Sequence, residues 1–102
     1  MNWPPAHPGA EQEFLAQVAE LQATTSEAIA EQYVRRAMSV VRRVRRFPYS
    51  GSPSIQGTRI VPLRPFKYSL VYLPDVGGDI FLIAFASQRR KPFYWQKRIA
   101  GR

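Results

Sequence analysis

Apolar residues recur every three or four positions in the first half of this chain and nearly every second position or closer in the second. Over residues 10–23, Phe14, Val18 and Leu21, with Leu15 and Ala19 beside them, form one stripe. That is the spacing of a helix with one buried face. Glu11 and Glu13 stand in its first turn, where the helix dipole favours acids. Thr24 with Glu27 three positions on fits a capping box and opens a second helix that runs to Arg46. Its apolar face is Ile29, Tyr33, Val34, Ala37, Val40, Val41 and Val44. Arg35, Arg36, Arg42, Arg43 and Arg46 take the opposite side, and Pro48 ends the helix. Two amphipathic helices with so short a connection predict an antiparallel hairpin over residues 10–46.

PYSGSPSIQG, residues 48–57, favours turns at almost every position and reads as a loop. After it the period changes. TRIVPLRPF, KYSLVYL and DIFLIAFA are three β-type runs across residues 58–86. Pro62 and Pro65 cannot donate to a ladder, so the first run is expected at a sheet edge or bulged. PDVGG joins the other two as a hairpin. The last run is apolar at nearly every residue, which predicts a strand covered on both faces. The fold class is therefore α+β. A helical hairpin packs on one face of a three- to four-stranded twisted antiparallel sheet. Residues 1–9, with three prolines, read as an irregular arm, and residues 87–102 as a basic and aromatic tail. The 102 residues are expected to form a single domain.

Charge changes this picture. Residues 1–34 carry five Glu and no Lys or Arg, while residues 35–102 carry all 15 Lys and Arg against Asp75 and Asp79. The two parts stand at −5 and +13, for a net charge of +8. Such asymmetry points to a polyanionic partner, either a nucleic acid or an acidic protein segment. Like charges three and four residues apart on the second helix repel one another and gain from such a partner. The opening residues lack the basic and apolar regions of a signal peptide. The longest apolar run, residues 80–86, is too short to span a bilayer. A cytoplasmic protein without membrane contact is expected.

Candidate chemistry is sparse. There is no cysteine and one histidine, His7 in the arm, so no metal site is expected. His7 reads as an exposed residue. No phosphate-binding glycine loop or nucleophile–base set is present, and no cofactor is implied. Gly77-Gly78 reads as a hairpin turn. What remains is SQRRKPFYWQKR, residues 87–98, in which three aromatics lie among five cations. Arginine and aromatic side chains neutralise phosphates and stack on bases, and they also anchor protein interfaces. Phe93 and Trp95 read as plugs that pin the tail to the sheet. Arg89, Arg90, Tyr94 and Arg98 read as a binding surface.

From Phe47 onward an ordered set of features carries a resemblance. Arg46-Phe47-Pro48 is followed by a small-residue loop with Gly51, then Gly57-Thr58-Arg59. Leu63-Arg64-Pro65-Phe66-Lys67-Tyr68-Ser69-Leu70-Val71-Tyr72 comes next, then Ile83 through Trp95 and a closing Arg98. In order and spacing this set resembles the ParE/RelE superfamily of bacterial toxins, in its ParE-like branch, over about half of the chain. The resemblance implies the toxin of a toxin–antitoxin, plasmid-stabilisation module. An antitoxin with an acidic, partly disordered segment would neutralise it. ParE-like members poison DNA gyrase, whereas RelE-like members cleave mRNA on the ribosome. The resemblance makes Arg59, Arg64, Arg89, Arg90, Tyr94 and Arg98 candidates for binding target or antitoxin. It makes Arg35, Arg36, Arg42, Arg43 and Arg46 the antitoxin-facing row. An mRNA endonuclease would use Tyr94, Arg89 and Arg90 as catalysts. Where RelE-like enzymes carry cations this chain has Ile60, Pro62 and Ser69, and the frequent family histidine is Ser87. Those departures favour action by binding, with the endonuclease as the alternative. A nucleic-acid-binding module without toxicity is a third and weaker reading. Family members open with a β-strand, for which MNWPPAHPG is poorly suited.

Overall fold

In the computed structural model, residues 3–100 are described. Helices α1 (Pro8–Thr24) and α2 (Glu27–Arg46) precede strands β1 (Ser52–Pro53), β2 (Arg59–Pro62), β3 (Tyr68–Val76) and β4 (Asp79–Ser87), and a short helix α3 (Lys97–Ala100) closes the chain. The strands pair antiparallel in the order β1-β2-β3-β4. The fold is α+β, with α1 and α2 on one face of the sheet, as the periodicity predicts.

α1 starts two residues earlier than expected because His7 caps it. The ring Nδ1 accepts from Gly9 N at 3.0 Å, and Pro8 follows in the first turn. The lone histidine is a half-buried cap rather than an exposed arm residue. Leu15 leaves the expected stripe and faces solvent, and Gln17 takes a buried place instead. Its amide donates to Phe85 O at 2.7 Å while its carbonyl accepts from the Tyr33 hydroxyl. This satisfies three polar groups inside the core, and burial pushes the Tyr33 phenol well above its ordinary pKa. The expected Thr24 capping box does not form. α1 runs through Thr24, whose hydroxyl donates back to Glu20 O at 2.8 Å. Ser26 caps α2 instead, accepting from Ile29 N at 3.1 Å. Tyr33, Ala37, Val40, Val41 and Val44 bury the predicted face of α2, and Ile29 and Val34 are half-buried.

β2 is not the sheet edge. Two residues of the loop, Ser52 and Pro53, pair with Ile60 and Arg59 to form β1 outside it. Pro62 lies beyond the reach of that short partner. Tyr72 holds the loop in place, donating its hydroxyl to Pro48 O at 2.7 Å and accepting from Gly51 N at 3.1 Å. A Cβ at Gly51 would stand 2.8 Å from that hydroxyl. The β3–β4 turn is Gly77-Gly78 with φ of +66° and +91°, the two positive values that a tight hairpin turn requires.

β4 is buried on both faces, as its continuous apolar run predicts. Ile80, Leu82 and Phe85 face the helices, while Ile83 and Ala84 face Trp95 and Ile99 of the tail. A register shift opposite Val71/Tyr72 makes this possible: Val71 pairs with Ala84 and Tyr72 with Leu82, so Ile83 is an extra residue. The arm is irregular but contributes one parallel bridge, Ala6 to Leu82. Leu82 N donates to Pro5 O and His7 N donates to Leu82 O, each at 2.9 Å. Farther along the same edge, Phe85 N and O are taken by Glu13 and Gln17. The open edge of the sheet is thus covered by an arm and two side chains. No described helix is long and apolar enough to cross a membrane.

Candidate interaction surface

The tail leaves β4 through a tight turn. Ser87 Oγ accepts from Arg89 N at 3.2 Å and Ser87 O accepts from Arg90 N at 3.1 Å. Arg89, Arg90, Lys91 and Pro92 are exposed. Only one of the two expected plugs is a plug. Trp95 is 3% exposed, but Phe93 is 46% exposed. Its φ of +59° places it in the left-handed region, which a bulky non-glycine residue adopts at a cost. That conformation turns the ring outward, edge-on to Trp95 at a centroid distance of 5.8 Å. A cleft of about 270 Å³ lies between this loop and the sheet, with Ile60, Val71, Lys91, Phe93 and Trp95 among its walls.

Beneath the loop, a single carboxylate ties the tail to α1. Glu13 accepts from Arg98 Nη1 at 2.9 Å and Nη2 at 3.1 Å, from Phe85 N at 3.2 Å and from the Tyr94 hydroxyl at 2.5 Å. Arg90 Nη1 approaches it at 3.9 Å. Arg98 also donates to Ile83 O at 3.1 Å. A side chain at Gly9 would collide with that guanidinium, since its Cβ would stand 2.6 Å from Arg98 Cζ. Arg98 is therefore an internal tie that is largely buried, not part of the exposed cationic surface. Arg90 stacks its guanidinium 3.8 Å from the Tyr94 ring centroid. Burial, then the hydrogen bond to Glu13 and its charge, push the Tyr94 phenol well above its ordinary range. Tyr94 is a neutral donor whose proton is already committed. It is a poor proton-transfer group near neutral pH.

The other candidates divide between structure and surface. Arg59 donates to Tyr49 O and Gly51 O at 2.9 Å each, fixing the loop after α2. Arg64 is exposed in the β2–β3 turn, which meets the start of the tail through Gln88 N and Lys67 O at 3.1 Å. On α2, Arg35, Arg42, Arg43 and Arg46 are exposed and Arg36 is half-buried. Arg35 lies 3.9 Å from Glu31. Arg45 takes a different direction and pairs with Asp79 through Nη2 at 2.7 Å and Nε at 3.2 Å. The hydrogen bond to Arg45 holds the Asp79 carboxyl below its ordinary range. The chain thus presents two basic areas, the α2 row and the tail loop. Glu13 and Gln17 were not among the sequence candidates. Their signal was the 3-4 spacing of Ala10, Glu13, Gln17 and Glu20, which continues the apolar stripe with polar residues.

No family model and no curated protein matches this chain. Seven chains of solved structures do. One belongs to the chromosomal ParDE TA system from P. aeruginosa. It is 14% identical, with a TM-score of 0.70, over 85% of this chain and 96% of that one. At that identity the likeness is one of fold, and the fold is ParE-like.

Proposed function

We propose that this protein is the toxin of a toxin–antitoxin module, acting in the cytoplasm by binding DNA gyrase and neutralised by an antitoxin with an acidic segment. The observation that carries the reading is the tail loop. Exposed Arg89, Arg90 and Lys91 share this loop with an aromatic ring displayed in an unfavourable backbone conformation on a ParE-like fold. An exposed aromatic among arginines is the composition of an interface hot spot, and the surrounding charge steers an acidic partner toward it. The α2 row offers the antitoxin's acidic segment a separate surface.

The endonuclease alternative asks Tyr94 to move a proton, yet its hydroxyl is bound to Glu13. Action by binding makes no such demand. The test is a gyrase supercoiling assay with the purified protein. Near-stoichiometric inhibition is expected, together with trapped double-strand breaks. Arg89→Ala with Arg90→Ala should abolish both while circular dichroism stays unchanged. A folded protein without effect on gyrase would sink this reading, and cleaved transcripts lost in Tyr94→Phe would establish the other.

A further inference from the structure

The end of α2 carries two exposed rings that the toxin reading, which gives the arginine row to the antitoxin, does not use. Phe47 is 57% exposed and Tyr49 is 62% exposed, two residues apart in the turn after the helix. Each ring has a guanidinium over it. Arg46 Cζ lies 5.4 Å from the Phe47 centroid, and Arg59 Cζ lies 5.2 Å from the Tyr49 centroid. Arg42 and Arg43 continue the exposed cations one turn back along α2. Among the described residues, no acid is paired with Arg42, Arg43 or Arg46.

Cations at a helix C-terminus complement the dipole, and an arginine over a ring is favourable in itself. Those local effects account for the arginines. They leave two large aromatic rings, two residues apart in sequence, largely in water, with exposures that fit rings covered on one side and open on the other. A ligand that suits both parts of the feature is a polyanion that itself carries flat aromatic groups. We propose that this corner is a stacking platform for single-stranded DNA. Phe47 and Tyr49 would each take a base on the open face, and Arg42, Arg43 and Arg46 would meet the backbone phosphates. A duplex offers no base faces to stack on. The platform offers ring faces and phosphate contacts, neither of which needs a ribose 2′-hydroxyl, so DNA meets the whole of it. The inference stands apart from the toxin reading, since it needs neither gyrase nor an antitoxin.

The test is fluorescence anisotropy of labelled dT15 with the full chain, across a salt series. Phe47→Ala with Tyr49→Ala should weaken binding about tenfold or more, from the usual loss per stacked base, while the salt slope is kept. Arg42→Gln with Arg43→Gln should lower the slope of log affinity against log salt by about 1.4, near 0.7 for each lost phosphate contact. Leu15→Ala, which removes an exposed apolar side chain elsewhere, should leave binding unchanged. Undiminished affinity in the aromatic double variant would overturn the proposal, as would a failure of dT15 to bind. So would tighter binding of a duplex of the same length, or of U15. If a poly-glutamate peptide binds and needs Phe47 and Tyr49 where dT15 does not bind, the corner belongs to an acidic protein.

Discussion

Glu13 joins three parts of the molecule at one carboxylate: its own helix, the backbone of β4 and the tail through Tyr94 and Arg98. Its side chain is 13% exposed and that of Arg98 19%, so removing the acid leaves a largely buried guanidinium without its counter-charge. Glu13→Ala should cost about 3 kcal/mol or more in urea denaturation, within the usual range for breaking a buried pair. Tyr94→Phe removes one donor from a charged acceptor and should cost about 1.5 kcal/mol or more. In the double variant the losses should fall short of additive, since both act on one carboxylate. Additive losses would show that Tyr94 and Glu13 act independently. Asp79 offers a test by pH. Its folded pKa lies below the ordinary 3.8, chiefly through the hydrogen bond to Arg45. Its contribution is therefore complete above about pH 4 and is lost as pH falls through the folded value. Asp79→Asn should be less stable than the parent at pH 7, and the gap should narrow toward pH 3. A gap that does not change with pH would remove the ion pair from the account.

Elements were legible where their signals were local. The apolar face of α2, the Gly77-Gly78 turn and the doubly covered β4 follow from spacing and from turn chemistry within a few residues. The misplaced features share a different cause. Thr24 has the right spacing to Glu27 for a capping box, but α1 continues one turn further than its apolar stripe requires and takes Thr24 into the helix. The cap then falls to Ser26. Ser26→Ala should cost about 1 kcal/mol, and Thr24→Ala should stay within about 0.5 kcal/mol, as surface changes usually do. Thermal unfolding of the two variants decides between the caps, and the reverse order would restore the capping box. β1 could not be read at all, because Ser52 and Pro53 have neither period nor propensity and pair only because Tyr72 and Arg59 hold the loop against β2. The extra residue at Ile83 was hidden for a similar reason. In an unbroken apolar run, nothing marks which side each residue faces.

At the scale of the whole molecule, the division of charge along the chain reads as a signal for outside partners, but part of it is consumed inside. The acidic α1 packs against the basic tail, and Glu13 meets Arg98 across 85 residues of sequence. No local pattern records a contact of that length, so Arg98 looked like surface and Glu13 like a dipole acid. The same packing explains why three adjacent aromatics do three different jobs. Tyr94 is tied to Glu13, Trp95 closes the sheet face with Val71, Ile83 and Ile99, and Phe93 is turned out. Stability and binding in the tail should therefore separate at neighbouring positions. Trp95→Ala should cost about 3–5 kcal/mol, a large share of the 5–15 kcal/mol that holds a typical domain together. On the proposed toxin function, any toxicity it loses should track lost near-ultraviolet dichroism. Phe93→Ala gives up only the covered half of an exposed ring, chiefly its edge contact with Trp95. Its unfolding midpoint should stay within a few degrees of the parent while, if the proposed toxin function holds, toxicity in growing cells falls. A Phe93→Ala protein that is folded and fully toxic would take the displayed ring out of the binding surface and leave the arginines to carry it alone.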